Sequence, residues 1–94
     1  MNPDVSTSSL FEVRRRFRRL RMIVDLTANL IENDHSMSHR EARSLVTCAE
    51  KAILELVPSY GRKYNVCVRP YFERILRDRW PAEESMIQAG ELVN

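Results

Sequence analysis

Residues 38–58 read SHREARSLVTCAEKAILELVP, and this stretch decides the fold class. Ser38 with Glu41 three positions later is a capping box: the serine oxygen accepts an N–H of the first helical turn, and the glutamate reaches back to the serine. At the other end Pro58 can neither donate to a helical ladder nor continue it without a clash, so the helix must stop there. Between these marks Ala42, Leu45, Val46, Ala49, Ala52, Ile53, Leu56 and Val57 fall in an arc of about 140° on a helical wheel. The pattern predicts an amphipathic helix that buries this arc, its alanines admitting a close neighbour. Arg40, Arg43, Thr47, Glu50 and Lys51 are expected in solvent.

Upstream, the polar run Asn33-Asp34-His35-Ser36 interrupts the pattern, because these side chains compete for backbone hydrogen bonds. Before it a long helix is expected, capped by Ser8 or Ser9, ending near Asn33 and roughly 36 Å in length at the standard helical rise. Leu10, Val13, Phe17, Leu20, Val24 and Ile31, with Thr27 filling the gap, alternate steps of three and four and make one apolar seam. Met22, Ile23, Leu26 and Leu30 add a second apolar side to the latter half, which is therefore expected to be buried on two sides.

Downstream, Pro58-Ser59-Tyr60-Gly61 is a turn and Arg62 to Val68 a short helix, after which Pro70 suits the first turn of a helix reaching Arg79. A residue before proline is steered away from helical dihedrals, so a break or sharp kink is expected at Arg69. Phe72, Ile75, Leu76 and Trp80 would be buried, with Tyr71 at the margin. Past Pro81 a further helix from Ala82 to Leu92 is compatible with Glu83 and Glu84 in its first turn, and Met86, Ile87, Leu92 and Val93 are what it has to dock with. The fold expected is all-α: a small helical bundle of three main helices, the third preceded by a kink or short extra helix, with a C-terminal tail. It occupies residues 1–94 as a single domain, with 1–8 and 81–94 as its tails. Two glycines and four prolines leave little turn punctuation for a barrel or sandwich, and Val66 and Val68 have no partner strand.

The first nine residues hold neither a basic cluster nor an apolar run, and no segment approaches the roughly 18 apolar residues of a membrane span, so a cytoplasmic protein is expected. Cys48 and Cys67 lie in apolar stretches and are expected as buried thiols, with Tyr60, Tyr64, Tyr71 and Trp80 giving core bulk and keeping their polar tips at the surface.

A net charge of +2 conceals one asymmetry. Between Leu10 and Arg21 stand Arg14, Arg15, Arg16, Arg18, Arg19 and Arg21 against Glu12 alone, +5 in total, which leaves −3 for the remainder. Arginine pairs bidentately with phosphate, so this block is the candidate contact for an anion or nucleic acid. On the wheel the six spread around the helix, which suits backbone phosphates better than base edges, and they can equally pair with acidic residues such as Glu50, Glu55 or Asp78. Asp25 is expected to pair with an arginine. His35 and His39, near Glu32 and Asp34, do not have the spacing of a zinc motif, so neither metal nor cofactor is expected. No nucleophile with an adjacent base is evident, and an enzyme is not expected.

The function expected is a non-catalytic protein-interaction or assembly module, homodimeric or bound to another protein. Leu10, Val13, Phe17 and Leu20 would form its self-association seam. The alternative is an arginine-mediated nucleic-acid binder.

Overall fold

A long helix folds back onto a shorter one, and a third packs against both. The computed structural model describes the backbone of residues 3–93 and the side chains of residues 9–87. The order is α1 (Pro3–Asn33), α2 (His39–Leu56), a 3-10 turn (Pro58–Tyr60), one helical turn α3 (Gly61–Lys63), a π-helical segment (Tyr64–Val68), α4 (Arg69–Arg79) and α5 (Pro81–Val93). The chain is an all-α bundle, with no strand among the described residues.

The capping box forms as read. The Ser38 hydroxyl accepts from the Glu41 N–H at 3.1 Å and donates to the Glu41 carboxylate at 3.0 Å. In the preceding turn the Asp34 carboxylate accepts from both the N–H and the hydroxyl of Ser36, which hold its pKa below the ordinary value. Ala42, Ala49, Ile53 and Val57 are buried along the expected arc of α2. They meet Leu20, Ala28 and Ile31 from α1 and Phe72, Ile75 and Leu76 from α4 in one core. Cys48 lies about 110° around the wheel from the centre of that arc and is exposed, as is Cys67. Both thiols were expected inside because their sequence neighbours are apolar, but burial follows the helix face rather than adjacency along the chain.

Two boundaries differ from expectation. α1 begins at Pro3, ahead of the serines expected to cap it, and a proline loses no hydrogen bond in a first turn. Arg69 adopts helical dihedrals (φ −57°, ψ −48°), so the helix runs through Pro70 without a break. The π-helical turn makes this possible. The Arg69 N–H donates to the Tyr64 carbonyl, five residues back, and the widened ladder accommodates a residue with no N–H and a bulky ring.

That turn also carries Tyr64 inward. The side chain was expected to keep its tip at the surface, yet it is buried completely, and its hydroxyl has no hydrogen-bond partner among the described residues. Burial, reinforced by the charge of Glu50, raises its pKa to about 12. Because an unsatisfied buried hydroxyl is destabilising, Tyr64→Phe should raise the unfolding free energy by about 1 kcal/mol in a urea titration. A loss of that size would mean that the hydroxyl is satisfied in solution.

α5 follows α4 after the non-helical Trp80, and the docking of Leu92 and Val93 lies outside the described side chains.

Candidate interaction surface

α2 is about 27 Å long at the standard rise, against about 46 Å for α1, so antiparallel packing from the Asp34–Ser38 turn leaves the start of α1 without a neighbour. The end of the covered part is marked by Phe17, whose ring meets Tyr60 edge-on at a centroid distance of 6.2 Å. Every described residue from Ser9 to Arg19 is exposed, and the molecule measures 58 × 31 × 15 Å. The first half of α1 is thus an overhang.

The self-association seam is divided by this geometry. Leu10, Val13 and Phe17 lie in solvent on the overhang, together with Phe11, which is 63% exposed. Leu20, expected beside them, is buried in the protein's own core and has no surface to offer a partner. A second exposed row was not expected. Met22 (62%), Leu26 (57%) and Leu30 (40%) remain in solvent, while Ile23 and Val24 pack against the core. The latter half of α1 is therefore buried on one side only, because α2 and α4 both pack on the face that holds Ala28 and Ile31.

All six arginines of the block are exposed. Arg16 pairs with Glu12 at 3.5 Å and Arg21 with Asp25 at 3.9 Å, the latter answering the expectation for Asp25. Both are exposed i,i+4 pairs, worth only a few tenths of a kcal/mol. Arg14, Arg15, Arg18 and Arg19 have no ion-pair partner among the described residues. Of the acidic residues expected as partners for the block, Glu50 is instead held by Arg69 at 2.6 Å, and neither Glu55 nor Asp78 forms an ion pair among the described residues.

A separate polar cluster lies where α5 meets α2. Glu84 is 3% exposed, and its carboxylate accepts from Arg43 at 2.6–2.9 Å and from His39 Nε2 at 2.8 Å. Burial alone would raise the Glu84 pKa, but the hydrogen bonds from Arg43 and His39 outweigh it and hold the carboxyl below its ordinary value. The His39 ring lies 5.6 Å from Trp80, and the Arg79 guanidinium sits over the other ring at 4.4 Å. Arg79 also donates to the carbonyls of Ile31 and Asp34, closing the end of α1. His39 thus belongs to a clamp between helices, while His35 remains exposed. Among the described residues no three His, Cys, Asp or Glu side chains are grouped to hold a metal.

The clamp is not legible in the sequence: the wheel puts Arg43 on the solvated side of α2, and Glu84 reads only as a favourable charge at a helix start. Forty-one residues separate the pair, and no spacing rule links them. Among the described residues no helix is long and apolar enough to cross a membrane. No protein-family model, curated protein or solved structure matches this chain.

Proposed function

We propose that the protein is a non-catalytic helical assembly module and that α1 is its contact element. The observation that carries this reading is the set of large apolar side chains that α1 leaves in water, Phe11, Phe17, Met22 and Leu26 among them. Scattered apolar side chains are ordinary on a surface, but two exposed rows on one helix, Leu10, Val13 and Phe17 on one side and Met22 with Leu26 on another, suit it to a partner. The cluster of His39, Arg43 and Glu84 joins α5 to α2, with its carboxylate occupied by both donors, which suits a structural rather than a catalytic role.

One variant with Phe11, Phe17 and Leu26 changed to glutamate tests the reading, since all three are exposed and their loss leaves the core intact. In size-exclusion chromatography with light scattering the native protein should run at twice 11.1 kDa and the variant at 11.1 kDa. A native monomer at every concentration contradicts the proposal.

A second reading is favoured by Arg14, Arg15, Arg18 and Arg19, whose charges have no partner among the described residues. Such a block binds phosphate backbones with a steep dependence on salt. A monomer that carries nucleic-acid absorbance, stripped by high salt, would move the function to that class.

A further inference from the structure

α1 is a charged rod with two ends of opposite sign. Residues 10–21 carry +5, while residues 22–33 carry Asp25 and Glu32 with no lysine or arginine, −2. At 100° per residue Arg14, Arg18 and Arg21 share one flank of the helix, and Asp25 and Glu32 continue that same flank toward the C-terminal end. Beside the flank runs the exposed row of Met22, Leu26 and Leu30. A shallow depression there is lined by Arg18, Arg21, Met22, Asp25, Leu26 and Asn29, all from α1, so no other element of the fold covers it.

We infer that this outer face of α1 pairs with the same face of a second copy, the two helices running antiparallel about a twofold axis between Met22 and Leu26. The inference rests on the assembly reading and specifies its surface. Symmetry makes the contact self-complementary: Met22 and Leu26 of each protomer surround the axis, and the basic half of each α1 lies along the acidic half of the other. One register sets Arg14 opposite Glu32 and Arg21 opposite Asp25 of the second copy, on both sides of the axis. A parallel pair would set the two arginine blocks against each other, as would a pairing of the overhangs through Leu10, Val13 and Phe17. Charge therefore selects both the orientation and the outer face over the overhang seam.

A charge swap tests the pairing. Leu26→Glu should raise the dimer dissociation constant at least roughly tenfold, and Arg14→Glu should weaken the dimer by a similar factor that shrinks as salt is added. Combining Arg14→Glu with Glu32→Arg should restore much of the loss, because the pair is re-formed with its signs exchanged. All three residues are exposed, so circular dichroism should show the fold unchanged in each variant. A native dimer that Leu26→Glu leaves intact, or a charge swap that rescues nothing, overturns this interface while the assembly reading stands. A dimer broken by Phe17→Glu and not by Leu26→Glu does the same and moves the contact to the overhang. A native protein that stays monomeric removes both, and nucleic-acid absorbance in that monomer assigns the arginine flank to phosphate instead.

Discussion

Replacing Phe72 with alanine should leave the chain largely unfolded in native buffer. The ring is completely buried where α4 meets the core, beside Leu76 and Ile75 from its own helix and in one cluster with Ile31 and Ile53. Truncating such a ring costs about 3–5 kcal/mol, the lost burial plus the cavity left behind. Small domains have only about 5–15 kcal/mol in total, and a chain of this length with no disulfide belongs near the lower end. Thermal unfolding followed by circular dichroism would read the effect, with a lost or greatly lowered transition expected. A midpoint close to the native one would mean that the core does not centre on this ring.

The second large effect is expected at Glu84. Glu84→Ala removes the acceptor shared by Arg43 and His39 and leaves Arg43 only the more distant Glu73, 3.5 Å away, as an acidic partner. Losing one partner of a buried ion pair costs about 3–5 kcal/mol, but Arg43 keeps about a third of its side chain in water, so about 2 kcal/mol is the expected loss. Its acid dependence follows from the lowered pKa. A carboxyl titrating lower in the folded than in the unfolded protein contributes stability that is fully present above its ordinary value of 4.5 and is lost as the pH falls through the folded value. Urea midpoints of the native protein should therefore fall in that acidic window, and Glu84→Gln should remove this part of the fall. Parallel acid profiles for the two proteins would show that Glu84 is not ionised and paired in the fold.

What was legible in the sequence was whatever depends on local order. The capping box at Ser38, the stop at Pro58 and the arc from Ala42 to Val57 all act within a few turns, and each fixes its element wherever the rest of the chain goes. Arg69 shows the limit of local rules, since a preference against helix before proline yielded to a π-turn that keeps Tyr64 and Val68 in the core. Met22, Leu26 and Leu30 show another. Apolar periodicity says that a face wants cover, and it is silent on whether the cover comes from the same chain. The wheel could rank the arginines around α1, but not foresee that the turn after α2 would meet Phe17 and leave Arg14, Arg15 and Arg16 on an overhang. Nor could it join Arg43 to Glu84, because that pairing depends on how α5 returns to α2.

The central claim is that α1 presents a surface for assembly, and sedimentation equilibrium of the native chain between about 5 and 200 µM reads it through mass action. The account predicts a mass that rises with concentration toward twice 11.1 kDa and falls back when salt is added. A mass that stays at 11.1 kDa across the whole range would contradict it.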